Sequence, residues 1–204
     1  MIDNNPPGSE LQVAPETTAV EIEAVFQRAT PPTVALSPHT SPSDLVRIIE
    51  EVRASEHGRP FLELLAAQPI DASAAWNALL EDPVDPGVAM AALENAAVPD
   101  QHIARLLRHP TEQVRGHALL AQLRRTLPRM TSVEIEALLE AHAGDEGVSL
   151  GVRHLVARSG GTPRHILKRL AGDDADFIAR CARERVEATK DDTDFDAHAL
   201  ERED

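Results

Sequence analysis

The sequence predicts an all-α fold, a solenoid of short paired helices over residues 41–188. Three observations point there. Aromatic residues make up 2% of the chain, with no Tyr and Trp76 alone, whereas sheets draw on aromatic and β-branched side chains. Ala, Leu, Arg and Glu, all strong helix formers, are abundant. Apolar clusters also recur at near-equal spacing: Leu79 to Leu106 is 27 residues, and Leu106 to Leu138 and Leu138 to Leu170 are 32 each. Such a period marks stacked helical units that bury their apolar stripes on one another.

Residues 1–16 carry Pro6, Pro7, Gly8 and Pro15 without apolar periodicity, so a disordered segment is expected. Residues 17–40 are expected to form one helix and a linker. Thr17 to Ala29 has Val20, Ile22, Val25 and Phe26 as its apolar set, and Glu21 follows Thr18 at capping-box spacing. Thr30-Pro31-Pro32 then breaks the helix, and Ser37 to Pro42 reads as a loop.

From Ser41 a polar cap or Pro opens each helix and an Asp-Pro, His-Pro or Gly turn closes it. Ser41 to Asp44 starts a helix carrying Leu45, Ile48, Ile49 and Val52, and Arg59-Pro60 starts its partner with Phe61, Leu64 and Leu65. Asp71 to Ser73 leads into Trp76, Leu79 and Leu80; the turn through Asp82-Pro83 and Asp85-Pro86 leads into Val88 to Leu93. Pro99-Asp100 precedes Ile103 and Leu106, and His109-Pro110-Thr111 precedes Val114, Ala118, Leu119 and Leu123. Thr131-Ser132 opens a helix with Ile135, Leu138 and Leu139, and Gly144 to Gly147 turns into Leu150, Val152, Leu155 and Val156. Thr162-Pro163 leads into Ile166, Leu167 and Leu170, and Gly172 to Asp174 turns into Phe177, Ile178, Cys181 and Val186. Residues 189–204 are acidic, lack an apolar stripe, and are expected to form a flexible tail.

Residues Gly161 to Asp173, with a Thr-Pro start, Ile166-Leu167, Leu170-Ala171 and an Asp turn, resemble the unit of bacterial leucine-rich repeat variant proteins. Val152-Arg153-His154-Leu155-Val156-Ala157-Arg158 is similar to the closing part of that unit. Val114-Arg115 after His109-Pro110 resembles the HEAT-like form of the same turn and helix. The resemblance covers residues 70–188 and implies a right-handed α-α superhelical solenoid with a binding surface and no chemistry. Some members of that family hold an iron–sulfur cluster on clustered cysteines, which this chain lacks.

The formal net charge is −14 and unevenly placed: −4 over residues 1–40, −8 over 41–100, +4 over 101–183 and −6 over 184–204. Cys181, the sole cysteine, excludes an internal disulfide, a cysteine zinc site and an iron–sulfur cluster. The start lacks a basic, apolar leader, and no apolar run approaches the ~20 residues that span a bilayer. A cytoplasmic protein without cofactors is therefore expected.

No pair of the nine histidines has the His-x-x-x-His spacing that sets two metal ligands on one helix face, so surface and turn positions are expected for them. Cys181 reads as a small core residue on the face of Phe177. Ser159-Gly160-Gly161 lacks the Lys and Ser/Thr of a phosphate loop, and a helix C-cap followed by Thr162 as N-cap accounts for it. Asp173, Asp174 and Asp176 stand where carboxylates favour a helix N-terminus. Nothing here builds a catalytic set, and no enzyme is expected. The remaining candidates are Arg115, Arg153 and Arg180, which fall at equivalent points of the repeat. They would line one face for an acidic partner or else pair with nearby acids. The expected function is a non-catalytic protein-binding scaffold or adaptor. Alternatives are an acidic inhibitor or immunity-type protein that binds a basic partner, and a nucleic-acid-binding HEAT-like protein. Overall acidity and the scarcity of aromatic platforms disfavour nucleic acid.

Overall fold

The computed structural model of the chain describes residues 10–26, 33–55, 58–144 and 147–200. The disorder expected over residues 1–9, the Thr30-Pro31-Pro32 break and the last four positions lie outside the described residues. The chain divides into two compact units, Met1–Ala118 and Leu119–Asp204, a boundary that the leucine spacing does not mark.

The protein is predominantly α-helical. In the first unit the order is β1 (Glu10–Val13), α1 (Ala19–Phe26), β2 (Thr33–Leu36), α2 (Pro42–Arg53), α3 (Gly58–Ala66), α4 (Ser73–Leu79), α5 (Pro86–Glu94) and α6 (Asp100–Leu106). The division falls inside α7 (Glu112–Thr126). The second unit continues with a 3-10 turn (Leu127–Arg129), α8 (Ser132–Ala141), α9 (Gly147–Arg158), α10 (Arg164–Leu170) and α11 (Asp176–Leu200).

Two short strands accompany the helices, in segments read as disordered and as linker. β1 and β2 pair in parallel, Glu10 against Thr33 through Val13 against Leu36. Residues 10–13 are therefore strand and not part of a disordered segment, and residues 33–36 are strand and not linker. Parallel pairing needs a crossover, which α1 supplies. Leu11, Val13 and Val34 are buried, so the strands cover apolar surface that a loop would leave wet. α1 begins as its capping box requires: the Glu21 carboxylate accepts from the Thr18 N–H at 2.9 Å, and the Thr18 hydroxyl accepts from the Glu21 N–H. Val20, expected on its apolar face, is 78% exposed, and Ile22 alone is fully buried.

Local caps fix the helix starts. Ser41 and Asp44 form a reciprocal capping box on α2, with Pro42 in the first turn, and Thr131 and Glu134 do the same on α8. Asp85 caps α5 by accepting from the N–H groups of Gly87 and Val88. Thr162 does not cap α10; it is buried and donates to the Val156 carbonyl at 2.6 Å, leaving Pro163 as the cap residue. Between α2 and α3 the chain turns so tightly that a Cβ on Gly58 would overlap the Val52 carbonyl oxygen.

Within the first unit α2 packs on α3 and α4, and α3 packs on α5. Ile48, Ile49, Val52, Phe61, Leu65 and Trp76 are buried there, and Phe26 meets Phe61 edge to face at 6.3 Å. Within the second unit α9 packs on α8, α10 and α11, and α10 packs on α11. Its core includes Leu123, Ile135, Leu139, Val152, Val156, Ile166 and Ile178. Side chains also link α2 to α4, α5 to α3 and α11 to α9 through carbonyls at or just past helix ends. Arg53 of α2 donates to Ala78 O at the end of α4. Asn95 after α5 donates to Ala66 O and Gln68 O at the end of α3. Arg185 of α11 donates to Arg158 O and Ser159 O at the end of α9. Ala78 O also accepts from the Glu81 N–H at 3.3 Å, and the side-chain donors add to what the helix ends receive from the backbone.

Of the four leucines that set the sequence period, Leu79, Leu106 and Leu170 are buried, whereas Leu138 is only partly buried and Ile135 and Leu139 carry the inner face of α8. Leu106→Ala is expected to cost about 2–5 kcal/mol and Leu138→Ala clearly less, measured by urea denaturation. Equal losses would restore Leu138 to the core register. The last helix runs on through Leu200, past the expected start of a tail at residue 189. From Asp173 onward no Gly or Pro interrupts it, and propagation adds one hydrogen bond for each residue fixed.

Candidate functional site

The three arginines placed on one expected face have different surroundings. Arg115 of α7 turns back on its own preceding turn, and its Nη1 donates to the carbonyls of His109 and Pro110 at 2.8 Å each. Arg153 of α9 lies inside the second unit at 6% exposure. Its Nε donates to Asp173 Oδ2 at 2.8 Å, its Nη2 to Oδ1 at 3.3 Å, and its Nη1 to Gly144 O in the turn before α9. This corrects the picture of Arg153 as an exposed contact. A guanidinium so deep in the unit is held by a bidentate carboxylate and a turn carbonyl, which meet the hydrogen-bonding demand that burial creates. Arg180 is exposed on α11. Arg115 and Arg153 thus share the habit of bracing the turn before their helix.

Asp173, expected as a helix-end carboxylate, does two jobs. It receives Arg153, and its Oδ1 accepts from the Ala175 N–H at 3.0 Å, shaping the turn into α11. Cys181 is half-buried and packs against the core of the second unit, whereas Phe177 is 43% exposed and its ring meets His154 edge to face at 5.2 Å.

Two histidines expected at the surface are buried, His102 and His109. His109 sits in the turn between α6 and α7. The Thr111 N–H donates to its Nδ1 at 3.1 Å, and its Nε2 faces Val84 O at 3.2 Å. An N–H can only donate and a carbonyl can only accept, so the ring carries its proton on Nε2. His109 thereby pins the α4–α5 turn to the α6–α7 turn. Burial, and then the charge of Arg105, holds His102 below the ordinary imidazole value; burial, and then Arg158, does the same for His154. A histidine depressed in the fold leaves the unfolded chain the better proton acceptor. Stability is therefore full above the unfolded value of about 6.5 and is lost as pH falls below it toward the folded values. Unfolding titrations between pH 7.5 and 5 should show that decline, and NMR titration should place both rings below free histidine. A stability that rises on acidification would contradict the assignment.

A cavity of about 500 Å³ opens beside this turn pair in the first unit. Asp82 and Val84 line it from the α4–α5 turn, and Gln101, Arg105, Arg108 and His109 from α6 and the turn that follows. A second cavity of about 310 Å³ in the second unit is bounded by Arg153, Asp173, Arg169 and Glu140, and its deepest charges are already paired with one another. Among the described residues no group of three His, Cys, Asp or Glu side chains could hold a metal ion. Among them, too, no helix is long and apolar enough to cross a membrane. The cavity and the inward role of Arg153 went unseen in the sequence because both depend on residues from separate turns. The repeated turn motifs Asp82-Pro83 and His109-Pro110 were the available signal. Comparison of the chain with protein-family models, with curated proteins and with solved structures gives no match.

Proposed function

We propose that the chain is a non-catalytic protein-binding scaffold or adaptor whose helix pairs stack as an α-α solenoid. The observation that carries the reading is the next-but-one packing: α2 on α4, α3 on α5 and α9 on α11. Helices stacked in this way leave long edges of turns and outer faces open to a partner. The carbonyl ties from Arg53, Asn95 and Arg185 support the same arrangement. So does the use of polar groups: His109, Arg115, Arg153 and Asp173 are each spent on holding turns. The resemblance of residues 161–173 to a leucine-rich repeat variant unit falls on α10 and its flanking turns. A cytoplasmic location suits the single cysteine.

The test is capture of a partner from the native cell on the full chain, followed by reconstitution from purified components and calorimetry. A saturable complex with one protein species is the expected result. Failure to retain any protein, with helical circular dichroism intact, would overturn the reading. The captured partner's charge separates the acidic-inhibitor alternative, which requires a strongly basic protein against the −8 segment of residues 41–100.

A further inference from the structure

We propose that the cavity between the α4–α5 turn and the end of α6 receives a carboxylate from an acidic peptide segment of the partner, with Arg105 and Arg108 as its receivers. The inference rests on the reading of the chain as a binding scaffold. In the same unit Arg53, Arg59 and Arg115 are committed, to Ala78 O and Glu81, to Glu63 and Asp85, and to the His109 and Pro110 carbonyls. Arg105 and Arg108 have no hydrogen bond or ion pair among the described residues, and both line the cavity. Arg105 lies in the last turn of α6 and Arg108 in the turn that follows it, and both border the same cavity. A guanidinium fork fits a carboxylate better than any other common side-chain acceptor.

The rest of the cavity sets the ligand's chemistry. His109 has both ring nitrogens engaged, Nδ1 by the Thr111 N–H and Nε2 by the Val84 carbonyl, so it adds no donor for a ligand. Asp82, from the α4–α5 turn, adds one carboxylate to the lining, which repels an incoming carboxylate and favours its approach to the arginines. Val84 supplies apolar wall, and about 500 Å³ admits a side chain with its neighbours, beyond a lone carboxylate. The −8 carried by residues 41–100 opposes a polyanion at long range, so nucleic acid fits less well than a peptide bearing spaced acids among apolar residues.

The experiment is an amide NMR titration of the full chain with an end-blocked hexapeptide of alternating Glu and Leu. Controls are the same peptide with Gln for Glu and a short single-stranded DNA. The expected result is saturable shifts around Asp82 and from Gln101 to His109 with the Glu peptide, and none with either control. Arg105→Gln/Arg108→Gln should weaken binding about tenfold or more, since two charge-assisted contacts are lost. Asp82→Asn should tighten it. Absence of shifts at these residues, undiminished binding by the double variant, or equal shifts with DNA would each overturn the proposal. If the captured partner binds the double variant as tightly as the parent chain, the carboxylate site falls and the scaffold reading stands. If no partner is captured while the peptide still binds, the scaffold reading falls.

Discussion

Trp76→Ala is expected to destabilise the protein by about 3–5 kcal/mol. Trp76 is 1% exposed in α4 and is the largest fully buried side chain in the core around α2 and α3. Its indole N–H donates to the Ile70 carbonyl at 2.9 Å, tying α4 to the segment that precedes it. Truncation removes apolar contact, leaves a void in close-packed surroundings and strips the carbonyl of its donor. Trp76→Phe keeps most of the ring and loses only the donor, so a smaller loss of about 1–3 kcal/mol is expected. Urea unfolding followed by far-ultraviolet circular dichroism measures both, since the variants lack the sole Trp fluorophore. A loss below about 1 kcal/mol for Trp76→Ala would show that α4 is not docked as described.

Asp173→Ala is expected to cost about 3–5 kcal/mol, because it strands the buried Arg153 guanidinium without its carboxylate. Both side chains are at 8% exposure or less, so solvent screens the pair little. The same substitution removes the acceptor that shapes the turn into α11. Arg153→Met with Asp173→Leu should recover much of the loss, since a buried ion pair replaced by apolar groups of similar volume is often near neutral. A double-mutant cycle separates the pair from the turn contact. Additive single effects would mean that Arg153 and Asp173 act independently.

Elements that depend on near neighbours in sequence were legible. The capping box at Thr18–Glu21, the helix starts at Ser41 and Thr131, and the turns at Asp82-Pro83 and His109-Pro110 stand where the sequence places them. Features set by distant residues were not. β1 and β2 pair across 23 positions, and neither four-residue segment is long enough to announce a strand. Arg153 reads as a surface residue until Asp173, twenty positions on, is brought against it. Leu138 keeps the sequence period, yet α8 turns Ile135 and Leu139 inward, because packing and not spacing sets helix rotation. The candidate cavity was invisible for the same reason: Asp82 and Arg108 come to line one cavity only once two turns stand side by side.

The most direct test of the division between bracing and receiving arginines is partner affinity, measured by calorimetry on three proteins with the reconstituted partner. These are the parent chain, Arg115→Gln, and Arg105→Gln/Arg108→Gln. The account predicts that Arg115→Gln binds as the parent does, apart from any loss of stability, and that the Arg105/Arg108 pair binds about tenfold or more weakly. Loss of affinity in Arg115→Gln with full affinity in the pair would contradict it.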